Sequence, residues 1–558
     1  MSKRLRFAVI AFLCVALAML ARMFILATYD RDFLQEQGDR VAQRAESVPT
    51  TRGIIYDRAG QPLAISTPVQ TIWTDPGIDT IPTKSHEALA QALQISQEQL
   101  SNTLWEAKDR RFVYLRKRVS HEVAEAVGQL GISGVRFSTE FRRYYPAGEV
   151  AAHVVGLTKN DGKGAEGLEL SLDSELTGAS GQRRVLRARD GRRLRDIGLE
   201  DAPEFGEDVT TTIDLGLQYL AFRQLRQTVS EHNAKSATLV LIDVLSGEIL
   251  SLASYPSYNP NDGGDRAFSR MRNRAVTDTY EPGSTIKVFA ILAALESGKY
   301  FPETEIDTSP GYFGVGRHLV EDPRNYGTLT LQGVLVKSSQ VGISKIALNL
   351  DPYAVFSALN RAGLADEPQS GLPYEATGHV NTDDLKREIG RATMAYGYGL
   401  RVTPLQLAVG YLTIATGGIR RSISIVRDPA VAKLPDQRVF EREHTKALIE
   451  MLEGVVSPIG TAPKANLEGF SVAGKTGTVR KISDGSYDES KHIAWFVGIA
   501  PSTSPRIVCV VVVDEPQGDT VSGGGVASPV FAEVARHALQ LMGLSGTPKR
   551  LITDGNAA

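Results

Sequence analysis

Cysteine is nearly absent from this chain: two residues in 558, Cys14 and Cys509. One lies in an N-terminal apolar run and the other in a strand-like run near the C-terminus. Neither belongs to a CxxC pair or a Cys/His cluster, so the sequence predicts no disulfide framework, no zinc site and no other metal or organic cofactor. Excess charge of either sign is absent too. Lys and Arg number 62, Asp and Glu 64, for a formal net charge of -2. That balance argues against nucleic acid as the main partner, because phosphate binding needs a surplus of basic side chains. There is no internal repeat and no long low-complexity segment, which excludes a repeat array. What remains is an ordinary globular composition in a chain too long for one hydrophobic core, so two or more folded parts are expected.

One stretch is apolar enough to matter to a membrane. After M-S-K-R-L-R, residues 7–29 run F-A-V-I-A-F-L-C-V-A-L-A-M-L-A-R-M-F-I-L-A-T-Y. As a helix this is about 35 Å long, enough to cross a bilayer. Arg22 sits close enough to the outer end to snorkel to the headgroups. A cleaved signal peptide is the rival reading, since Ala16-Leu17-Ala18 has an A-x-A shape. The apolar run resumes beyond it, which favours an uncleaved anchor. Lys3, Arg4 and Arg6 then hold residues 1–6 in the cytoplasm and place the rest outside.

Residues 30–48 look like a short polar helix beside the membrane. From there to 214 the chain is a patchwork of short strands, turns and helices with glycines at the turns. One piece is strongly basic: R-R-V-L-R-A-R-D-G-R-R-L-R-D, 183–196. With D-G at its centre it reads as a hairpin with a solvated arginine face, or as a docking surface for an anionic partner. A helix at about 216–232 opens a different texture. A-T-L-V-L-I-D-V and G-E-I-L-S-L-A-S form a hairpin around Leu245-Ser246-Gly247. A largely helical middle follows, then three strands: F-S-V-A-G-K-T-G-T-V, H-I-A-W-F-V-G-I-A and R-I-V-C-V-V-V-V-D. The last helix, about 528–543, carries an apolar stripe through Val530, Phe531, Val534, Ala538 and Leu541. Strands from both ends of the region with helices between them imply an α+β fold: a central antiparallel sheet covered by helices.

The chemistry gathers in that second region. In Y-E-P-G-S-T-I-K-V-F, Ser284 precedes Lys287 by three residues where a turn enters a helix, so both side chains share a face. A serine is a weak nucleophile until a base takes its proton. A lysine can be that base only when burial or a neighbouring cation destabilises its ammonium. The pair alone is weak evidence, since S-x-x-K arises about once or twice by chance in a chain this long. K-T-G-T at 475–478 adds Lys475, the second cation that would lower the pKa of Lys287. It also adds a strand edge along which an extended peptide could pair. K-S-S-Q-V-G at 337–342 adds a second hydroxyl, Ser338, and an amide, Gln340. The order S-x-x-K, S-x-Q, K-T-G within one region is far more specific than any one element. It matches the set known from penicillin-binding proteins and class A β-lactamases.

On these motifs the chain resembles the class B penicillin-binding proteins, most closely the division type, penicillin-binding protein 3. The likeness extends to the short tail and single anchor, R-G-I-I-Y-D-R-A-G, Y-Y-P-A-G, G-A-E-G-L-E, Y-G-Y-G-L-R-V-T-P-L-Q-L-A and A-G-K-T-G-T. It implies a cytoplasmic tail at 1–6, an anchor at 7–29 and an elongated mixed α/β pedestal of the dimerisation type at 30–214. A transpeptidase domain at 215–545 and a C-terminal tail at 546–558 would follow. It further implies a peptidoglycan D,D-transpeptidase of the inner membrane, facing the periplasm and cross-linking stem peptides at the septum. β-Lactams would acylate the same serine, and a membrane glycosyltransferase and other division proteins would be partners. Carried onto this chain, Ser284 is the nucleophile, Lys287 the base and Ser338 the proton relay. The backbone N–H groups of Ser284 and Thr478 form the oxyanion hole. Lys475, Thr476, Gly477 and Thr478 hold the substrate carboxylate.

The chain departs from the family once. Gln340 stands where the family usually has asparagine, offering the same donors and acceptor from one methylene, about 1.5 Å, further out. In the family that amide steadies the base lysine, and catalytic groups lose rate steeply when misplaced by about 1 Å. This departure motivates a second expectation, a division scaffold with weak catalysis. A third, a carboxypeptidase or β-lactamase, needs a base that activates water, and no further motif supplies one.

Overall fold

The computed structural model describes residues 2–544 apart from 35–36, 38–42, 78–79, 107–109, 111, 188–192, 265–266, 428–434 and 484. It opens with helix α1, Lys3–Thr28, long and apolar enough to span a bilayer, with no buried residue. Residues 31–34 and 37 are helical, as the polar stretch suggested, but Gln43–Val48 is not. It is strand β1, paired antiparallel along its whole length with β2, Gly181–Arg187. The pairing satisfies its backbone groups from more than a hundred residues away, which a local pattern cannot announce. The basic hairpin is present: β2 pairs antiparallel with β3, Arg193–Asp201. Its D-G turn lies outside the described residues. Arg184 forms a two-pronged pair with Glu200, and Arg183 reaches Asp196 at 3.3 Å.

Compactness divides the chain into two units that are not contiguous in sequence. One gathers the chain up to Gly53, Ser66–Arg142 and Thr177–Glu207. The other gathers Ile54–Ile65, Arg143–Leu176 and everything from Asp208 onward. The first unit has its own small core around Ile72, Leu89, Leu93, Leu100, Leu115 and Val127. In the second, the segment Arg143–Leu176 is bonded to the region of the central sheet. Tyr258 donates its hydroxyl to Ala152 O at 3.1 Å, and Gln218 donates to both Val150 O and Leu252 O at 2.9 Å.

The second unit carries the sheet that the sequence predicts. Helix α2, Leu215–Glu231, is started by Asp214, whose side chain accepts from Leu217 N at 3.1 Å. Then come β4, Ser236–Asp243, and β5, Ile249–Tyr255. The middle contributes α3, Lys287–Glu296; α4, Gln340–Leu348; α5, Pro404–Ala415; and α6, Arg442–Val456. Helix α5 begins with a reciprocal cap between Thr403 and Gln406. Strands β6, Ala473–Ser483, β7, Ser486–Ala500, and β8, Ile507–Asp514, and helix α7, Ser528–Leu541, complete it. The sheet order is β5-β4-β8-β7-β6, antiparallel throughout. Every residue of β4 and β8 is buried, so the inner strands read as unbroken apolar runs. Along α7, Val530, Phe531, Val534 and Ala538 are buried, but Leu541 is 65% exposed, because the stripe leaves the sheet at the last turn. The edge strand of this rigid sheet is β6, the strand that carries K-T-G-T.

Candidate active site

Ser284 does not lie on an α-helix. Gly283–Ile286 forms a 3₁₀ turn that runs into α3. Three residues per turn bring Ser284 and Lys287 into near eclipse, closer in azimuth than an α-helix would. Gly283 has φ +56°, a value that favours glycine. The turn is fixed from three sides: Tyr411 donates to Thr285 O at 2.8 Å, Trp495 Nε1 to Glu281 O at 3.2 Å, and Gly283 N to Gly397 O at 3.1 Å. It also packs directly on β6. A Cβ at Gly477 would fall 2.8 Å from Pro282 O and 3.1 Å from a Thr285 methyl carbon, so only glycine permits this approach. Within the turn Gly283, Thr285 and Ile286 are buried and Ser284 is half-buried, which leaves its hydroxyl within reach of a ligand.

Lys287 and Lys475 are both wholly buried. Ser338 stands between them. Lys287 Nζ donates to Ser338 O at 2.5 Å and to its Oγ at 3.3 Å, while Lys475 Nζ donates to the same Oγ at 2.9 Å. Burial, then the charge of Lys475, holds the Lys287 amine well below the usual lysine range, opposed by the carboxylate of Asp322. Burial pushes Lys475 down to about 7. The downward shift favours the free amine of Lys287, the form able to take a proton, and Lys475 is poised to lose or keep its charge. Ser338 has φ +56°, rare for a residue with a Cβ and the kind of strain that collects at functional sites.

The remaining predicted residues fall in the same place but not all in the expected posture. Thr478 is exposed at the strand edge and its Oγ1 accepts from Gly523 N at 3.1 Å. Strand alternation puts Thr476 on the face opposite Lys475, where its hydroxyl is bonded to Thr461 at 2.8 Å. The Gln340 side chain makes no hydrogen bond among the described residues. The main chain of Ser338, not this amide, holds Lys287 Nζ. Ser284 Oγ likewise makes no hydrogen bond among the described residues.

Sequence reading missed Asp322. Its Oδ2 accepts from Ser339 Oγ at 2.5 Å, and its Oδ1 from Gln340 N at 2.5 Å and Val341 N at 3.2 Å. Ser339 Oγ also caps α4 by accepting from Gly342 N at 2.8 Å. Asp322 thus anchors the start of α4 and, with it, the Ser338 carbonyl that holds Lys287. No local motif marks it: it follows a small hairpin, Tyr312–Val315 with His318–Glu321, and only folding brings it to the S-x-Q loop.

A half-buried serine, a buried lysine amine held below its ordinary pKa and a second lysine sharing one hydroxyl, on the edge of a helix-covered sheet, form the apparatus of an active-serine acyl-transfer domain. The comparisons place the chain more closely. Residues 237–536 match the penicillin-binding protein transpeptidase domain, and residues 47–211 match the penicillin-binding protein dimerisation domain. The peptidoglycan D,D-transpeptidase FtsI of Escherichia coli K12 is 40% identical over 543 residues, 95% of this chain and 91% of that protein. The solved transpeptidase domain of Burkholderia pseudomallei penicillin-binding protein 3 is 37% identical. It covers 60% of this chain and 97% of that one, with a TM-score of 0.55. Penicillin-binding protein 3 of Mycobacterium tuberculosis, solved in complex with aztreonam, is 26% identical, with a TM-score of 0.68. That match covers 90% of this chain and 98% of that one. The chain belongs to the penicillin-binding protein transpeptidases, with a dimerisation domain ahead of the catalytic one.

Proposed function

We propose that this protein is a peptidoglycan D,D-transpeptidase of the division type, acting through a Ser284 acyl-enzyme and acylated by β-lactams. The observation that carries the reading is the pair of buried lysines joined through Ser338 beside Ser284. Lys287, uncharged, takes the Ser284 proton as Oγ attacks the penultimate D-alanine carbonyl of a stem peptide. The backbone N–H groups of Ser284 and Thr478 stabilise the oxyanion. Ser338, bonded to both lysines, passes a proton to the leaving amine, and terminal D-alanine departs. The amine of a neighbouring stem peptide then attacks the ester carbonyl, forms the cross-link and returns the proton to Ser284. Lys475 supplies positive charge for the substrate carboxylate, beside Gly477 and Thr478 on the strand edge; Thr476 contributes its backbone.

The single apolar N-terminal helix supports an anchor at 7–29 with the catalytic unit on the outer face of the inner membrane. The basic tail favours that orientation. A division-type relative and the dimerisation domain support a place in septum synthesis beside a membrane glycosyltransferase and other division proteins. The test is covalent labelling of the full chain with a fluorescent penicillin. Stable labelling of the wild type that Ser284→Ala abolishes supports the reading. Absence of label on folded wild type would sink it and favour a scaffold. Rapid loss of label would favour a hydrolase.

A further inference from the structure

A cavity of about 370 Å³ opens in the catalytic unit, between the segment Arg143–Leu176 and the chain that leads into the nucleophile turn. Tyr258, Phe268 and Tyr374 give it aromatic walls, and Glu166 and Asn273 line it with oxygen. Two of those oxygen groups lack partners. Asn273 donates from Nδ2 to His153 O at 3.0 Å, yet its Oδ1 is buried without a hydrogen bond. Glu166 is half-buried and makes no side-chain hydrogen bond or ion pair among the described residues, and burial raises its carboxyl pKa. Three residues on, Glu169 shows the contrast: fully buried, it is paired with Arg143 at 2.6 Å. Among the described residues that line the cavity, none gives Glu166 a free cation. His153 hydrogen-bonds Arg270 O through Nε2 at 2.8 Å, and burial pushes its pKa down to about 4, so it is neutral. Arg272, the cation on the wall, is already paired with Asp278 at 2.5 Å.

An unpaired carboxylate and an unpaired amide oxygen are both acceptors, costly to bury until a donor arrives. Aromatic faces likewise attract a cation. The wall is also pre-formed: a Cβ at Gly156 would lie 1.7 Å from Glu166 O, so the backbone carrying Glu166 rests directly on its neighbour strand. We propose that this cavity is a binding site for a small primary amine. Its ammonium is held by the Glu166 carboxylate, and its apolar body lies against Tyr258, Phe268 and Tyr374.

The probe is benzylamine, titrated by calorimetry into the full chain in detergent. Benzyl alcohol serves as the uncharged control, and the titration is repeated after Ser284 is acylated with penicillin. Saturable benzylamine binding is expected, unchanged by acylation. It should weaken about tenfold or more in Glu166→Gln and with benzyl alcohol, and several-fold in Tyr374→Ala, whose ring is exposed. Fluorescent-penicillin labelling of each variant reports folding and keeps this test separate from that of the acyl-enzyme. Should Glu166→Gln fail to label, Tyr374→Ala carries the comparison. No saturable binding, binding blocked by acylation, or binding unchanged in the labelled variants overturns the proposal.

Discussion

Two lysines on one strand have opposite fates. Lys475 and Lys481 both lie on β6, six residues apart, with a shift of register just before Lys481. Lys475 is wholly buried and pairs with no carboxylate among the described residues; it donates to a serine hydroxyl and a main-chain carbonyl. Burial alone sets its pKa, down to about 7. Lys481 reaches Asp514 at 2.7 and 2.9 Å and Glu515 at 2.6 Å, and those bonds hold its pKa above the usual value despite burial. Asp514 is itself so buried that its carboxyl is raised even beside this ammonium. The difference teaches what makes a lysine chemically useful. One end of the strand withholds the counter-ion, so the ammonium is destabilised and available. The other end supplies two, so the charge is locked into structure.

The largest expected effect is at the end without counter-ions. Lys287→Met lowers the rate of penicillin acylation by about 10²–10⁴-fold, the usual worth of a positioned base. It should not lower stability. Because the folded-state pKa is depressed, the unfolded chain holds the Lys287 proton more tightly than the folded one. Lys287 therefore costs stability below the unfolded lysine pKa of about 10.4, and the methionine variant melts higher. A melting curve at pH 7 beside the stopped-flow rate checks both halves. A variant both inactive and less stable would reduce Lys287 to a packing residue.

Next is Asp322, the carboxylate that faces Lys287 from a distance and anchors the S-x-Q loop. Asp322→Ala leaves Ser339 Oγ and two backbone N–H groups without their acceptor, and acylation should slow about tenfold, consistent with a loss of 1–3 kcal/mol in positioning. Asp322→Asn keeps an acceptor but removes the charge that raises the Lys287 pKa. Acylation requires neutral Lys287, so its acid limb should move to lower pH. A pH–rate profile whose acid limb stays put would show that the charge is not felt.

Lys475 gives a third effect, in the window around its own pKa. It loses its proton as pH rises through about 7, so affinity for carboxylate-bearing penicillins should fall between pH 6 and 9. Lys475→Arg keeps a charge throughout and should flatten that fall. At the paired end, Asp514→Asn takes one of two carboxylates from Lys481 and leaves Glu515 in place, and stability should fall by about 1–3 kcal/mol, the worth of a largely buried charged hydrogen bond. Acylation should stay within about twofold, and an equal loss of activity would erase the contrast between the two ends. The smallest effect is at Gln340. Its amide bonds nothing in this structure, so Gln340→Asn should change acylation by less than about threefold, read by the same labelling.

Much of this was legible in residue order. The apolar run of α1, the strands of the central sheet and the pairing of β2 with β3 follow from local periodicity and turn chemistry, and those forces act within a few residues. The strand β1 did not, because Gln43–Val48 is polar on both faces and its partner strand lies far away in the chain. Leu541 continues an apolar stripe that the sheet does not reach. The turn that enters a helix at Ser284 is legible in the sequence, but its 3₁₀ form is not, since what tightens it is contact with Gly477 and Tyr411 rather than any local preference.

By itself the sequence determined which chemistry was available: a serine, two lysines, a second hydroxyl and a glycine-flanked strand, in an order whose joint occurrence by chance is small. Only the tertiary structure decided what those groups are. Their pKa values depend on burial and on which charges stand within a few ångströms, and both are set by segments far apart in the chain. The fold kept carboxylates from hydrogen-bonding range of Lys287 and Lys475, gave Lys481 two, and brought Asp322 to the loop that aligns Ser338. A lysine carries the same letter in every case, and the field around it makes it a base, an anchor or a salt bridge.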